Sequence, residues 1–260
     1  MKLPKKNKTL IVERHNKVVY DCDELVVKVF NGAKPAADIL NEALNIARAD
    51  QAGINVPELV EVGKVGVNWA IATKKVEGKT LRQILAEDPS REDEVLDRLI
   101  GLELEVHSHT NPLLNRQKDK LTRMINSLGD TISEAQRYEL LHLLDGMPNH
   151  TKVCHGDFVP SNIIIPEGDL DGNEPPVIVD WAHATQGNGA ADCAITYLHL
   201  ILNGEKDFAE KYLHRYCERQ GCTVDYVQSW CSIVAAAELA RGRVFEQDFL
   251  MTWVDVVDWV

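Results

Sequence analysis

The residues with the clearest chemical potential lie between positions 155 and 180. His155 and Asp157 are followed by Asn162, five residues after the aspartate, and Asp180 follows an apolar run further along the chain. Carboxylate and amide oxygens are hard ligands that suit Mg²⁺, whose coordination is completed by substrate phosphates. A remaining aspartate can accept the proton of an attacking hydroxyl. This set therefore predicts magnesium-dependent phosphoryl transfer, which asks a protein mainly for positioning and charge neutralisation.

A lysine upstream agrees with this chemistry. Phosphoryl transfer of this kind uses a strand lysine that holds nucleotide phosphates and a glutamate on the following helix. Lys28 lies in the β-branched run Val26–Phe30, where alternation along the strand turns it away from Val27 and Val29. Glu42 lies in the middle of the next predicted helix. We therefore expect Lys28 and Glu42 to form an ion pair.

Hydrophobic periodicity predicts the elements that position these residues. The first part of the chain reads as five short strands around one helix, at 9–12, 18–20, 25–30, 58–62 and 67–73 with the helix at 35–49. Helical patterns follow at 80–85, 91–107, 117–128, 133–144 and from 190 to 260. Between them, the apolar runs 163–165 and 177–179 flank a polar turn, which predicts a hairpin.

Strands that pack with one helix make a small α+β lobe, and the rest of the chain predicts a larger helical lobe. We place the nucleotide-binding lobe at residues 1–75. The helical lobe, with the catalytic loop and the substrate site, is placed at 76–260. The fold class predicted is α+β with two lobes.

Bulk composition excludes several other classes of protein. The net charge of −12 disfavours nucleic-acid binding, and the apolar runs are too short to span a membrane. The basic first residues have no apolar segment after them, so no signal peptide is predicted. Six cysteines without a CxxC pair disfavour zinc and disulfide frameworks and favour a cytoplasmic location.

The sequence resembles the aminoglycoside phosphotransferase and choline kinase superfamily, which shares the protein-kinase-like fold. The segment 155–163 is similar to the catalytic loop of that family, and Ile178–Trp181 is similar to its metal-binding segment. Asp192, within Ala191–Ala194, looks like the aspartate that braces the catalytic loop from a following helix. The resemblance extends from about Leu10 to about Trp253 and is most specific between 153 and 194.

The resemblance implies a role for each residue that matches the motifs of the family. Lys28 would hold the phosphates of ATP and Glu42 would orient Lys28. Asp157 would act as base, while Asn162 and Asp180 would hold Mg²⁺. His155 would orient the catalytic loop and Asp192 would brace it. Adenine would lie between the lobes, hydrogen-bonded to backbone near Lys75, Val76 and Glu77 and packed among Val26, Ile164 and Val179.

Three positions depart from the pattern of the family. No GxGxxG motif stands where a phosphate-covering loop is expected, and the residues there are 13–17, Glu-Arg-His-Asn-Lys. Val159 occupies a position where the family often has histidine. Gly187-Asn188-Gly189 replaces a common Gly-Asp-Pro.

The predicted activity is transfer of the γ-phosphate of ATP, or of another nucleoside triphosphate, to a hydroxyl of a small molecule. Aminoglycoside-like, choline-like and other hydroxylated acceptors stay open, and a nucleotide-binding pseudokinase is the alternative. Net acidity favours a cationic acceptor, although an ordinary soluble surface explains the same charge. Glu238, Glu246 and Asp248 have two interpretations, as the lining of a cationic substrate site or as a solvated helix face.

Overall fold

The structure is a computed structural model that describes residues 8–166, 170 and 172–254. Within those residues no helix combines the length and the hydropathy needed to cross a bilayer. The described residues divide into two compact units, one within Met1–Val95 and Pro160–His183 and the other within Leu96–Val159 and Ala184–Val260. The first unit is larger than the predicted lobe of residues 1–75, because it also contains a short helix and three later strands.

The described part of the chain contains ten strands. They are β1 Thr9–Arg14, β2 Lys17–Cys22, β3 Leu25–Phe30, β4 Leu59–Val65, β5 Asn68–Lys74, β6 Lys79–Thr80, β7 Lys152–Cys154, β8 Ile163–Ile165, β9 Val177–Ile178 and β10 Thr185–Gly187. The same part contains ten α-helices. They are α1 Ala36–Gln51, α2 Leu81–Glu87, α3 Glu92–Ser108, α4 Gln117–Asn126, α5 Glu134–Gly146, α6 Gly189–Leu202, α7 Lys206–Gln220, α8 Val224–Gln228, α9 Cys231–Leu239 and α10 Gln247–Val254.

The first unit is built on a five-stranded antiparallel sheet with the order β1-β2-β3-β5-β4. Alternation along the strands buries Val27, Ala70 and Ala72 on one face, where they pack with Cys22. Lys28 lies on the central strand β3, paired with β2 on one side and β5 on the other. Its position is therefore fixed from both directions.

Helix α1 covers part of the first unit with an apolar stripe. Ile39, Ala43 and Ile46 recur at helical spacing and are buried, as is Glu42 on the same side of the helix. Pro35 stands immediately before the first turn, where its fixed φ favours helix initiation. The helix predicted at 35–49 is thus present.

A second small sheet completes the first unit, with the order β6-β8-β9. Ile163 pairs with Ile178, and Ile164 with Val177, so the predicted hairpin is present. The preceding helix α2 begins at a capping box between Thr80 and Gln83. Part of the turn predicted between β8 and β9, residues 167–169 and 171, lies outside the described residues.

The second unit is mostly helical, and its centre is formed by α6 and α9, which pack against each other. Nearly every residue of both helices is buried, as expected for helices that are apolar on all sides. One short antiparallel pair, β7 with β10, also belongs to this unit. The sequence had not predicted that pair. The helical pattern that runs to residue 260 is described only as far as Val254.

Candidate active site

In the first unit, the strand lysine and the helix glutamate predicted as partners lie in contact. Lys28 Nζ donates a hydrogen bond to Glu42 Oε1 at 2.9 Å. Glu42 is fully buried, and its other oxygen, Oε2, accepts a hydrogen bond from Lys34 Nζ at 2.7 Å. A buried carboxylate is stable only when it is paired, so the two ammonium groups account for the position of Glu42.

The hairpin of β8 and β9 brings Asn162 and Asp180 close together in the chain fold. The Val179 N–H donates to the carbonyl of Asn162 at 2.9 Å, which places Asp180 one residue beyond the end of the ladder. Asp180 has a φ of 68°, a left-handed conformation that few non-glycine residues adopt. Helix α1 holds the next residue, since Asn45 Nδ2 donates to the Trp181 carbonyl at 3.0 Å.

Asp180 accepts from two lysines. Lys28 Nζ lies 2.8 Å from Oδ1, and Lys17 Nζ lies 2.9 Å from Oδ2. Lys17 is the last residue of the segment 13–17, which occupies the position expected for a glycine-rich loop. The sequence did not predict its contact with Asp180. We call Lys17, Lys28, Lys34, Glu42 and Asp180 the lysine–carboxylate cluster. In it, each of the four carboxylate oxygens accepts from an ammonium group.

These contacts determine the protonation of the lysine–carboxylate cluster. Burial alone would raise the pKa of Asp180, but the charges of Lys28 and Lys17 hold it well below its ordinary value. Burial would also raise the pKa of Glu42, and Lys28 and Lys34 are among the charges that lower it. Conversely, burial alone would lower the pKa of Lys28, and the two carboxylates raise it. All three groups are therefore ionised at neutral pH.

The residues expected around adenine also belong to the first unit. Val26, Ile164 and Val179 are all half-buried, so each keeps part of its apolar surface exposed. The Lys75 N–H donates to the Glu24 carbonyl at 2.7 Å, and the Lys75 ammonium pairs with Asp21 and Glu77. That backbone donor is therefore already engaged within the sheet.

In the second unit, Asp192 holds the backbone that leads to Asp157. Its carboxylate accepts from the N–H groups of His155 and Gly156, each at 2.7 Å, and lies 3.1 Å from His107 Nε2. Burial alone would raise the pKa of Asp192, but the hydrogen bond and charge of His107 lead the contributions that lower it. Asp192 is thus a buried anion bound to the loop.

Packing explains why the Gly187–Gly189 segment departs from the pattern of the family. Asn188 caps helix α6 by accepting from the Ala190 N–H at 2.9 Å. A Cβ on Gly189 would lie 2.7 Å from the ring of His107, the histidine that contacts Asp192. Glycine at position 189 therefore lets helix α6 approach the His107 ring. Val159, the other departure in this unit, is buried.

Asp157 is held from helix α6 by a histidine. His199 Nδ1 lies 2.9 Å from Asp157 Oδ1, and His199 Nε2 lies 3.0 Å from Glu238 Oε2 on helix α9. Arg241 Nη2 pairs with the other oxygen of Glu238 at 2.8 Å. We call Asp157, His199, Glu238 and Arg241 the histidine–carboxylate cluster.

His199 is protonated at neutral pH. Burial alone would lower its pKa, but the charge of Glu238 and the hydrogen bonds to Asp157 and Glu238 raise it to about 9. A protonated imidazole donates from both ring nitrogens, which suits a position between two carboxylates. Burial would raise the pKa of Glu238, whereas Arg241 and His199 lower it. The cluster is therefore a chain of alternating charges.

Sequence reasoning missed His199 and Lys17 and left Glu238 undecided. The sequence did contain a signal for His199, because this residue lies inside the apolar stretch of helix α6. Glu238 lies inside the apolar stretch of helix α9 in the same way. A polar residue within an apolar helix needs a buried partner, which points to another such residue. Lys17 carried no comparable signal, since its partner lies 163 residues away.

Two sets of potential metal ligands are present in the described residues. Asn162 and the ionised Asp180 offer the hard oxygen atoms that Mg²⁺ prefers. His107, Cys154 and Asp192 also have ligand atoms within 4.8 Å of one another. However, Asp192 is occupied by backbone N–H groups, and burial raises the pKa of the Cys154 thiol well above its usual range. A thiol that stays protonated is a poor ligand, so the set of His107, Cys154 and Asp192 does not fit a metal.

Comparison with known proteins shows the family to which the chain belongs. The profile of the family described as "Phosphotransferase enzyme family" matches residues 12–227. The chain belongs to that family. The predicted enzyme class, a small-molecule kinase, agrees with this membership, and the resemblance stated from the sequence is confirmed. A search of curated proteins gave no significant match.

Solved structures of similar phosphotransferases show the fold of the family. A thermostable mutant of aminoglycoside phosphotransferase APH(4)-Ia, in complex with ADP and hygromycin B, has a TM-score of 0.69 at 12% identity, over 96% of this chain and 90% of that one. Aminoglycoside-3'-phosphotransferase of type VIII gives 0.64 at 18% identity, over 89% and 94%. A choline/ethanolamine kinase family protein from Mesorhizobium loti gives 0.60 at 14% identity, over 96% and 85%. The predicted α+β kinase-like fold is thereby confirmed.

Proposed function

We propose that this phosphotransferase moves the γ-phosphate of ATP to a hydroxyl of a small molecule. The observation that carries the proposal is the Lys28 ammonium, held between Glu42 and Asp180 at 2.9 and 2.8 Å. A strand lysine oriented by a helix glutamate is the arrangement that phosphoryl transfer uses to hold nucleotide phosphates. Lys28 therefore binds the phosphates, and Glu42 orients it.

The lysine–carboxylate cluster carries a net positive charge that suits a triphosphate. Three ammonium groups act on two carboxylates, which leaves one positive charge in excess. Lys17 thus supplies a cation in a region that lacks the backbone cradle of a glycine-rich loop. The half-buried Val26, Ile164 and Val179 take the adenine ring. Because the Lys75 N–H is engaged, the adenine donors and acceptors come from Lys75 C=O, Val76 and Glu77.

Asn162 and Asp180 would hold Mg²⁺ in this proposal. The fit rests on their oxygen atoms and on the ionised state of the Asp180 carboxylate. When bound, the metal ion would neutralise charge on the phosphate oxygens. With the metal ion bound, Asp180 would be one of its ligands, and Lys17 and Lys28 would be available to the phosphates.

Asp157 accepts the proton of the acceptor hydroxyl. Its carboxylate is about a quarter exposed, at 26%, so a small molecule can reach it. His199 is a positioning residue, because it donates to Asp157 and fixes the direction of the carboxylate. Asp192 and His155 act one step further back, on the backbone of the loop. General base catalysis of this kind contributes about 10²–10⁴-fold.

The acceptor class follows less directly than the reaction. One similar structure is a complex with hygromycin B, and another is of a choline/ethanolamine kinase family protein, so aminoglycosides and amino alcohols belong in any acceptor panel. A cytoplasmic location stays a prediction from cysteine usage.

Turnover of ATP by the wild-type chain and by Asp157→Asn, across a panel of hydroxylated acceptors, tests the proposal. We expect phosphate transfer to at least one acceptor by the wild type and a loss of about 10²–10⁴-fold in the variant. Equal turnover by the two proteins would reject Asp157 as the base. Thermal stabilisation by ATP with Mg²⁺, without transfer to any acceptor, would favour the pseudokinase alternative.

A further inference from the structure

Several cationic side chains lie around the histidine–carboxylate cluster, although the chain as a whole has a net charge of −12. Helix α4, which carries Lys120 and Arg123, packs against helix α9, which carries Glu238. Arg241 and Arg243 follow the end of α9, and both interact with Glu238. Cations from two elements are therefore gathered beside the carboxylates of this cluster.

The carboxylates there are already paired with cations. Glu238 is buried, and its two oxygens accept from Arg241 and His199 at 2.8 and 3.0 Å. Glu246 Oε1 accepts from Arg243 Nη1 at 2.9 Å. Neither acid is a solvated helix face, and both are neutralised by groups of the protein itself. At Glu238 a cationic acceptor would have to displace these partners, and at Glu246 only Oε2 would be left to it.

The donors, in contrast, are not all used. Two donors, Arg241 Nε and Nη1, are buried and have no hydrogen-bond partner among the described residues. Among the acceptors of the same residues around the cluster, Glu246 Oε2 is buried without a partner. A buried guanidinium N–H without a partner is costly, and an oxygen of a ligand would offset that cost. Donors are thus in excess over acceptors at this place.

Lys120, on helix α4, shares this environment. The lysine is half-buried, and burial together with the charge of Arg241 lowers the pKa of its ammonium to about 7, although Glu238 acts in the opposite direction. Arg243 is near enough to Asp157 for the two charges to interact. An anion bound among these three side chains would stabilise their positive charges.

We propose that Lys120, Arg241 and Arg243 form an oxyanion subsite beside Asp157. On this inference, which rests on the proposed function, the acceptor is a small hydroxylated molecule that also carries a carboxylate or a phosphate. The planar guanidinium fork suits either group. The inference replaces the cationic acceptor that net charge favoured, because local donors and not total charge face the ligand.

Binding of matched probes to the wild-type protein tests the subsite without requiring turnover. D-gluconate, D-glucitol and 1-amino-1-deoxy-D-glucitol share the same open-chain polyol from C2 to C6. They differ at C1, which carries a carboxylate, a hydroxyl or an ammonium group. Glycerol 3-phosphate and glycerol provide the phosphate pair. By titration calorimetry we expect at least one anion to bind about tenfold tighter than its neutral counterpart. The series with the larger preference for its anion shows whether the subsite favours a carboxylate or a phosphate. The cationic 1-amino-1-deoxy-D-glucitol should bind weakest.

Two lysines of helix α4 give a matched pair of variants. Lys120→Gln should remove most of the preference for the anion, whereas Lys118→Gln should keep it, because Lys118 donates to the Asp145 carbonyl at 2.9 Å outside the subsite. ADP binding, measured for each variant, reports that the protein is folded. If Lys120→Gln does not bind ADP, Arg243→Gln replaces it with the same expectation.

The inference is overturned if the wild type binds neither anion at millimolar concentration, or binds both no tighter than the neutral polyols. It is also overturned if Lys120→Gln and Arg243→Gln both keep the full preference. Failure of the proposed function has a different signature. In that case the anions still bind preferentially, but phosphate reaches no hydroxyl of any probe.

Discussion

The lysine–carboxylate cluster and the histidine–carboxylate cluster repeat one arrangement in two units of the molecule. In each, a partly exposed aspartate contacts a cation that also contacts a buried glutamate. Asp180 is 24% exposed and leads through Lys28 to Glu42, while Asp157 is 26% exposed and leads through His199 to Glu238. The buried acid fixes the cation, and the cation holds the exposed acid.

The two clusters differ in the bridging cation, and that difference separates their roles. Lysine ends in a mobile ammonium group that can exchange one oxygen partner for another. Imidazolium is a rigid ring that donates in two fixed directions, and the charge of His199 is lost only as pH rises through about 9. The lysine–carboxylate cluster is therefore suited to give up its cations to a phosphate. The histidine–carboxylate cluster is suited to hold one carboxylate still.

Replacing the bridging lysine should give the largest effect. Lys28→Met leaves the Asp180 and Glu42 carboxylates without their shared cation, so we expect affinity for ADP with Mg²⁺ to fall by about 3 kcal/mol, or roughly a hundredfold. Asp157→Asn should keep its ADP affinity, since Asp157 belongs to the other cluster. Titration calorimetry on both variants measures the contrast.

Lys34→Met is the control for this comparison. It removes an ammonium group from Glu42 but not from Asp180, so its ADP affinity should fall less than that of Lys28→Met. Equal losses in Lys28→Met and Asp157→Asn would contradict the separation of the two clusters.

Replacing the bridging histidine should change the dependence of stability on pH. The pKa of His199 is raised from 6.5 to about 9 by Asp157 and Glu238, against burial, with Arg241 and Arg243 close by. Stability from a raised pKa is fully present below the unfolded value and is lost as pH rises through the folded one. The contribution of His199 to the unfolding free energy, on the order of 3 kcal/mol at pH 6.5, should therefore be lost as pH rises through about 9. Lys120, whose pKa is lowered to about 7, titrates in the same interval with the opposite sign, so the contribution of His199 is the difference between the wild type and a His199 variant.

His199→Gln should be less stable than the wild type at pH 6.5, and the difference between the two proteins should shrink as pH rises through about 9. Urea unfolding at several pH values measures this difference. A difference that stays constant with pH would show that the charge of His199 is not responsible. Lys28→Met should keep the pH dependence of the wild type, since the lysine–carboxylate cluster does not titrate in this interval.

Replacing Lys17 should give the smallest effect. Lys17→Gln keeps the Lys28 contacts but removes the second ammonium group from Asp180, so ADP affinity should fall by ~1 kcal/mol, about fivefold. Lys64→Gln is a suitable control, because Lys64, on β4, lies over the Trp69 ring of β5 and outside the cluster. A loss as large as that of Lys28→Met would assign Lys17 a principal part in phosphate binding.

The sequence was most informative where spacing along the chain determines contacts in space. Lys28, Glu42 and Asp180 lie on elements whose order and periodicity place them predictably, and the fold class followed from the same patterns. Contacts that depend on packing between distant elements were less accessible. His199 meets Glu238 only because α6 packs on α9. Lys17, at the start of β2, meets Asp180 across a separation of 163 residues.

The left-handed backbone at Asp180 limits which amino acids can stand there. Glycine, asparagine and aspartate tolerate a positive φ, while glutamate, with the same charge, is strained in that conformation. Aspartate alone among the tolerated residues has an anionic side chain. An Asp180→Asn replacement would thus remove the charge and preserve the turn, whereas Asp180→Ala would disturb both, so exchange to asparagine separates electrostatic from conformational contributions at this position.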